Sequence, residues 1–258
     1  TQAVSDLMLP EWFEQHVITS PNEVAVSFAG HTLTYAELDA KANQLAHYLR
    51  AKQIGPDDIV AVALDRSVDM VVALLAALKA GAAYLPLDPA YPLERLSFML
   101  GDSQARCVIT AGAILTRFKE GMGANPAVTS LLTAALLMDD GELQQTLAAL
   151  PVESLTNQTR IRALTPHNLA YLIYTSGSSG KPKAAAIQHG GLTNYLSWAH
   201  DYYRSEDGTG APVNTSISFD AILLLSNQIE SPAVATSHKS FTICTVPKFN
   251  ALPSVTMF

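Results

Sequence analysis

Hydroxyl, glycine and lysine residues are concentrated in the short stretch from Thr175 to Lys183. The hydroxyl residues are Thr175, Ser176, Ser178 and Ser179, the glycines are Gly177 and Gly180, and the lysines are Lys181 and Lys183. Glycine adopts positive φ readily, so consecutive backbone N–H groups can converge on one anion. The hydroxyls donate further hydrogen bonds, and the lysines supply positive charge. This combination predicts a loop that binds a polyphosphate.

The spacing within this loop excludes a Walker A phosphate loop. That motif has a glycine five residues before the glycine of its Gly-Lys pair, and a serine or threonine after the lysine. Here Thr175 and Pro182 occupy those two positions. Pro182 also prevents a helix from starting directly after Lys181. A flexible Gly/Ser linker is the alternative interpretation, but a linker rarely follows a buried strand directly or ends in Lys-Pro-Lys.

Two apolar segments flank the loop and must position it. Leu169–Tyr174 is rich in aliphatic and aromatic residues, which predicts a buried strand. Ala184–Ile187 predicts a second, shorter strand, and a helix is expected from Gly191 onwards. His189 lies between that strand and that helix. We interpret His189 as a structural histidine with satisfied hydrogen bonds rather than as a catalytic one.

The preceding part of the chain alternates between predicted strands and helices. Ile59–Leu64 is a continuous apolar strand, Ser67 caps the helix that follows, and Gly81 ends this helix before the next strand, Tyr84–Leu87. Such a β-α-β unit implies a parallel sheet with helices on its faces, so we expect an α/β fold. Lys79, in the last turn of the helix, is interpreted as a partner of the helix dipole.

Further elements are predicted on both sides of this unit. They are a helix at Leu9–Val17, a hairpin at Val24–Leu33, a helix begun by the capping box Thr34–Glu37, a helix at Pro92–Leu100 stopped by Gly101, a strand at Cys107–Thr110, a helix near Ile114–Lys119, a strand near Leu131–Met138 and a helix at Glu142–Leu150. The region from 111 to 164 contains no pattern of chemically functional residues.

Composition narrows the possible partners of the chain. Its 258 residues are 48% hydrophobic, which is enough for a large core. A net charge of −7 argues against nucleic acid or an anionic membrane as the main partner. The apolar runs are too short to span a bilayer, and the N-terminus lacks a signal pattern and an initiator methionine. We therefore expect a cytoplasmic piece of a longer protein. Cys107 and Cys244 are far apart and indicate neither a disulfide nor a metal site.

The stretch YTSGSSGKPK from Tyr174 to Lys183 resembles the phosphate-binding signature of adenylate-forming enzymes. These include acyl-CoA synthetases, luciferases and the amino-acid adenylation domains of nonribosomal peptide synthetases. Leu33–Leu38, Leu78–Pro89 and the residues on either side of the loop are similar to motifs of the peptide-synthetase branch. Ala184 departs from the family pattern, which has glycine at this position.

The resemblance implies a large N-terminal subdomain in which sheets are flanked by helices. It implies that an amino acid reacts with ATP, in the presence of Mg²⁺, to give aminoacyl-AMP and pyrophosphate. The acyl group would then pass to the phosphopantetheine of a peptidyl carrier protein, which is one of the neighbouring synthetase domains. The ATP phosphates are expected to contact Thr175, Ser176, Gly177, Ser178, Ser179, Gly180, Lys181 and Lys183. Phe219, Asp220 and Ala221 are expected at the amino-acid pocket, where the aspartate holds the α-ammonium group.

Residues 1–222 are identified as the N-terminal part of an adenylation domain, whereas residues 223–258 do not match. All 14 glycines precede Ala211, and the tail has no helical or strand period. We hypothesise that this tail is frameshifted or disordered, which sequencing of the coding region through Ala221 tests. The family's catalytic lysine and Mg²⁺-binding glutamate lie beyond the match, so no residue here is assigned as catalytic or metal-binding. We expect the isolated chain to be inactive. An acyl-CoA-synthetase-type ligase and a non-catalytic fragment are the alternatives.

Overall fold

The computed structural model describes residues 7–122, 125–175, 182–203, 211–212 and 241–243. The helices of this part of the chain are α1 (Leu9–Thr19), α2 (Tyr35–Ala51), α3 (Val68–Ala80), α4 (Leu93–Ser103), α5 (Gly112–Gly121), α6 (Pro126–Thr133), α7 (Gly141–Ala148) and α8 (His189–Tyr203). The strands are β1 (Val24–Phe28), β2 (His31–Thr34), β3 (Ile59–Ala63), β4 (Ala83–Pro86), β5 (Cys107–Thr110), β6 (Leu136–Leu137), β7 (Leu169–Thr175), β8 (Lys183–Gln188), β9 (Ala211–Pro212) and β10 (Phe241–Ile243).

The larger of the two described sheets has the strand order β6-β5-β3-β4-β7-β8. Every neighbouring pair from β6 to β7 is parallel, and in this sheet β8 runs antiparallel, against β7. Parallel strands must be joined by crossovers, and here helices provide them. The predicted β-α-β unit and the α/β fold class are confirmed.

Helices cover both faces of this sheet. Val60 and Val62 of β3 point into a core that they share with apolar residues of α1, α2, α3, α7 and α8. Ala61 and Ala63 of the same strand point into a second core, built with α4, α5 and α6. Alternate residues of a strand face opposite sides, and a parallel sheet buried on both faces needs apolar residues at every position. This requirement explains the continuous apolar runs in the sequence.

Helix ends near the sheet follow the predicted capping chemistry. The Thr34 hydroxyl accepts a hydrogen bond from the Glu37 N–H (3.2 Å), and the Glu37 carboxylate accepts one from the Thr34 N–H (2.8 Å). The Ser67 hydroxyl accepts from the Met70 N–H (3.1 Å). Gly81 ends α3 with a φ of 91°, in the left-handed region that favours glycine. These three predictions are confirmed.

One predicted strand and one predicted helix end are wrong. The expected strand near 131–138 is helix α6 followed by the two-residue strand β6, because the Asn125 side chain accepts from the Ala127 N–H (3.1 Å) and Pro126 favours a first helical turn. Helix α4 does not stop at Gly101 but continues to Ser103. A Cβ atom at Gly101 would lie 3.2 Å from the Asn125 side chain. This glycine therefore marks the close approach of α6 rather than a helix end.

Lys79 has a different role from the predicted dipole partner. Its side chain is completely buried, and Nζ lies 2.6 Å from a Glu14 carboxylate oxygen and 2.8 Å from Asp39 Oδ1. It also donates to the Ser154 hydroxyl (3.2 Å). Lys79 thus joins α1, α2 and α3 to the segment after α7, and the last-turn position alone does not reveal these partners.

The second sheet contains the predicted hairpin, with the strand order β2-β1-β10-β9. β10 lies in the tail that begins at residue 223 and pairs antiparallel with β1, Val26 opposite Ile243. The sequence shows no sustained alternation of apolar and polar residues here that would predict this strand. The remaining residues of the tail lie outside the described part of the chain.

Candidate functional site

The predicted phosphate loop closes a hairpin between β7 and β8. The antiparallel register pairs Leu169 with Gln188 at one end and Thr175 with Lys183 at the other. The side chains of Thr175 and Lys183 are both exposed, so a hydroxyl and an ammonium group stand side by side where the loop begins and ends. β7 runs parallel to β4, with Tyr171 opposite Tyr84, and ligands of α/β sheets bind beyond the carboxyl ends of the strands.

Most predicted contacts to ATP and to the amino acid lie outside the described residues. These are Ser176, Gly177, Ser178, Ser179, Gly180 and Lys181 of the loop, and Phe219, Asp220 and Ala221 of the expected amino-acid pocket. Their roles remain predictions. The structure therefore brings together only Thr175 and Lys183 of the predicted set.

Two tyrosines of β7 hold the base of the hairpin. The Tyr171 ring stacks on that of Tyr84 in β4, with the ring centroids 5.5 Å apart. The Tyr174 hydroxyl donates a hydrogen bond of 2.7 Å to Asp102 in α4. Burial, and then the hydrogen bond to Asp102, raise the pKa of Tyr174, so the phenol stays protonated and can donate. Sequence analysis missed Asp102, because no local pattern connects it to a residue 72 positions later.

His189 fixes the point where β8 passes into α8. Its backbone N–H donates to the Asn168 carbonyl (2.9 Å), and its side chain is fully buried. Burial chiefly, and then nearby Arg160, lower its pKa to about 4, against a smaller opposite effect of Asp57. The prediction of satisfied hydrogen bonds is wrong, since neither ring nitrogen has a partner among the described residues. With its pKa lowered to about 4, the imidazole is neutral at pH 7.

The described residues also bear on metal binding and on membrane spanning. In the part of the chain that the structure covers, no group of three histidine, cysteine, aspartate or glutamate side chains is arranged to hold a metal ion. Cys107 is buried in β5, and burial raises the pKa of its thiol to about 12, so it remains protonated. Among the described helices, none is long and apolar enough to cross a lipid bilayer.

Comparison with protein families matches residues 13–226 to the AMP-binding enzyme family. The chain is 36% identical over 269 aligned residues to a linear gramicidin synthase from Brevibacillus parabrevis, covering 96% of this chain and 5% of that protein. It is 38% identical over 220 residues to the dimodular nonribosomal peptide synthase of Bacillus subtilis, covering 85% of this chain and 9% of that protein. For zwittermicin A synthase ZmaJ of Bacillus cereus the identity is 38% over 208 residues, covering 81% of this chain and 36% of ZmaJ.

Solved structures with the same fold include the nonribosomal peptide synthetase FmoA3. Its form with bound α-methyl-L-serine-AMP superposes with a TM-score of 0.71 at 26% identity, covering 86% of this chain and 22% of that one. The AMPPNP-bound form gives a TM-score of 0.69 at 26% identity, with the same coverage of both chains. VinN in complex with 3-methylaspartate shares the fold, with a TM-score of 0.70 at 23% identity over 88% of this chain and 61% of VinN.

Proposed function

The chain belongs to the AMP-binding enzyme family, and we propose that it activates an amino acid as aminoacyl-AMP for nonribosomal peptide synthesis. The observation that carries this proposal is the hairpin β7–β8. It presents Thr175 and Lys183 opposite each other at the ends of a loop rich in hydroxyls and glycines. The chain spans about 5% to 36% of the length of the three relatives described above, so the proposal concerns the activity of the longer protein as well.

The loop would hold the phosphates of ATP. The backbone N–H groups next to Gly177 and Gly180 would suit phosphate oxygens, because consecutive N–H groups can form a concave anion site. The hydroxyls of Thr175, Ser176, Ser178 and Ser179 would add hydrogen bonds. Lys183, and secondarily Lys181, would neutralise negative charge. Mg²⁺ would accompany ATP, as the family resemblance implies, and would neutralise part of the phosphate charge; no residue of this chain is assigned to hold it.

The reaction itself demands positioning more than covalent chemistry from this loop. An oxygen of the amino-acid carboxylate attacks the α-phosphorus in line and forms a P–O bond. The P–O bond to the β-phosphate breaks, and its electron pair leaves with pyrophosphate. Holding the β- and γ-phosphates orients this leaving group and stabilises the charge that develops on it. These are the tasks that hydroxyls, amides and lysines can perform.

We propose an amino acid as the substrate because Asp220 follows Phe219 at the expected pocket. A partly buried carboxylate beside an aromatic wall pairs well with an α-ammonium group. The AMP derivative bound to FmoA3 is that of an amino acid, which supports this choice for a protein of the same fold. A carrier protein with phosphopantetheine, adjoining synthetase domains and a cytoplasmic location complete the proposal.

The proposal is tested by replacing Lys183 within a longer relative that the chain matches. Residues 13–226 would replace the matching segment of ZmaJ, and ATP–pyrophosphate exchange would be measured with ATP varied. Lys183→Ala should cost about 1.5–3 kcal/mol, the strength of a hydrogen bond to a charged group. This range corresponds to about a 10- to 150-fold loss of exchange at low ATP.

Lys119→Ala serves as the matched control for this variant. Lys119 is an exposed lysine in the last turn of α5, far along the chain from the loop. Its replacement should leave exchange within about twofold, as for surface substitutions in general. Equal rates for Lys183→Ala and Lys119→Ala would contradict the assignment of the loop to phosphate binding.

A further inference from the structure

The carboxyl end of β7 is attached to helix α4 by a side-chain hydrogen bond that lies outside the phosphate loop. Tyr174 is the residue before Thr175, and its ring is 4% exposed, within the core on the α4 side of the sheet. Its hydroxyl donates to Asp102 Oδ2 over 2.7 Å. Phe98, one turn earlier in α4, meets the Tyr174 ring edge-on, with the centroids 6.3 Å apart and the planes at 81°.

The hydrogen bond between Tyr174 and Asp102 lies just beyond the point where the neighbouring strand β4 ends. The pairing of Tyr84 with Tyr171 places Pro86, the last residue of β4, level with Ile173. Tyr174 and Thr175 therefore continue beyond the end of β4, and in the described sheet they pair only with β8. Two antiparallel strands on their own are marginally stable, so the last residues before the loop need a restraint from elsewhere.

A carboxylate also holds the opposite end of the same strand. Asp57 accepts hydrogen bonds from the Leu169 N–H (3.0 Å) and from the Asn168 side-chain amide (2.7 Å). β7 is thus held at its first residue by Asp57 and at its next-to-last residue by Asp102. Both aspartates are exposed residues, and each reaches the strand from a part of the chain outside β7.

We propose that Asp102 and Tyr174 are positioning residues, which fix the carboxyl end of β7 against α4 so that Thr175 and the loop bind phosphate in a defined geometry. The inference rests on the phosphate role proposed above for the loop. Successive residues of a strand point to opposite faces, so holding the Tyr174 side chain on the α4 side directs Thr175 away from that core. A displacement of about 1 Å at a phosphate-positioning group can cost about 100-fold in rate.

The hydroxyl of Tyr174 can be separated experimentally from its ring. Tyr174→Phe keeps the aromatic ring that fills the core and removes only the donor, whereas Asp102→Ala removes the carboxylate that accepts the hydrogen bond. Asp102→Asn keeps an acceptor oxygen at the same place and should restore function. Tyr48→Phe is the matched control, because Tyr48 is a partly buried tyrosine in α2 whose ring faces the Lys52 ammonium group.

The experiment measures binding of ATP and of inorganic tripolyphosphate to the 258-residue chain by calorimetry, with thermal unfolding followed for each variant. Tyr174→Phe and Asp102→Ala should weaken binding of both probes about five- to tenfold, with Asp102→Asn and Tyr48→Phe within about twofold of wild type. Backbone amide exchange should accelerate at Thr175 and Lys183 in the first two variants, and remain unchanged at Leu169.

Three other results would contradict either the positioning role of Tyr174 and Asp102 or the phosphate role of the loop. Wild-type affinity for both probes in Tyr174→Phe and Asp102→Ala would refute the positioning role and leave the phosphate loop intact. Loss of affinity in Asp102→Asn as large as in Asp102→Ala would also refute it, since the acceptor is retained. A wild-type chain that binds neither probe would refute the phosphate role of the loop, and the positioning role would fail with it.

Discussion

Replacing Lys79 by alanine tests how the helices on one side of the sheet are held together. The ammonium group is completely buried and lies 2.6 Å from a Glu14 oxygen and 2.8 Å from Asp39 Oδ1. The Asp39 contact is an ion pair without the geometry of a hydrogen bond. The Phe13 ring centroid is 5.8 Å from the same nitrogen. Lys79→Ala would leave two carboxylates facing each other with no cation between them.

The expected loss follows from the burial of the charges that remain. Removing one partner of a buried ion pair costs about 3–5 kcal/mol, because the other charge stays in a poorly solvated place. Glu14 and Asp39 keep 27% and 16% of their side-chain exposure, so water can solvate them in part. We therefore expect about 3 kcal/mol, at the lower end of this range.

Urea unfolding of the 258-residue chain, followed by circular dichroism, measures this loss. Lys52→Ala is the control, because Lys52 is exposed and contacts the face of Tyr48 at 5.4 Å; it should change the free energy of unfolding by no more than about 0.5 kcal/mol. Adding Glu14→Gln and Asp39→Asn to Lys79→Ala should recover part of the loss. A Lys79→Ala chain as stable as Lys52→Ala would refute the reasoning.

Three further predictions concern the rest of the chain. The first concerns His189, whose pKa falls from 6.5 in the unfolded chain to about 4 in the folded one. The unfolded chain therefore binds the proton more readily. The free energy of unfolding should fall by up to about 3 kcal/mol as the pH decreases from 7 to 4. Chemical unfolding would measure how the free energy of unfolding depends on pH in the wild type, in His189→Leu and in His31→Gln, a control at an exposed position. The dependence should be weaker in His189→Leu and unchanged in His31→Gln. The same dependence in all three proteins would show that His189 is not its source. Gly81→Ala should lower the free energy of unfolding by about 1–3 kcal/mol, because φ is 91° and the new Cβ would lie 2.9 Å from Pro56, and an unchanged urea midpoint would contradict this. In the ZmaJ chimera, Asp220→Ala should cost amino acids about 3–5 kcal/mol more than their desamino analogues, and equal losses in pyrophosphate exchange would assign Asp220 to structure.

The sequence predicts the elements whose signals are local. The capping box of Thr34 and Glu37 and the left-handed Gly81 involve residues close together in the chain. The apolar runs of the parallel strands need no partner to be recognised, because burial on both faces requires apolar residues throughout. Most of the α/β sheet follows from these features alone.

Features that depend on distant contacts are not visible in the sequence. Gly101 has the sequence signature of a helix stop, but its lack of a side chain accommodates the Asn125 amide at the start of α6. Lys79 has the position of a dipole partner, yet its partners are 65 and 40 residues away in the chain. Likewise, the bond between Tyr174 and Asp102 links two elements that no local pattern connects.

The sequence predicts the residue types of the candidate site but not its geometry. Residue types alone predict a phosphate-binding role for the loop, since hydroxyls, glycines and lysines together are typical of phosphate binding. The structure adds the pairing of Thr175 with Lys183, which places the two ends of the loop together. His189 shows the limit of such reasoning, because its position predicts a structural role but not two ring nitrogens that lack partners in the described part of the chain.

Amino-acid-dependent ATP–pyrophosphate exchange tests the central claim most directly. The ZmaJ chimera carrying residues 13–226 would be assayed with each common amino acid, with desamino analogues and with fatty acids plus coenzyme A, beside unmodified ZmaJ. Cooperative thermal unfolding would establish that the chimera is folded. We predict exchange with at least one amino acid, and none with its desamino analogue. A folded chimera that exchanges pyrophosphate only with fatty acids, or not at all while ZmaJ does, would contradict amino-acid activation by this chain.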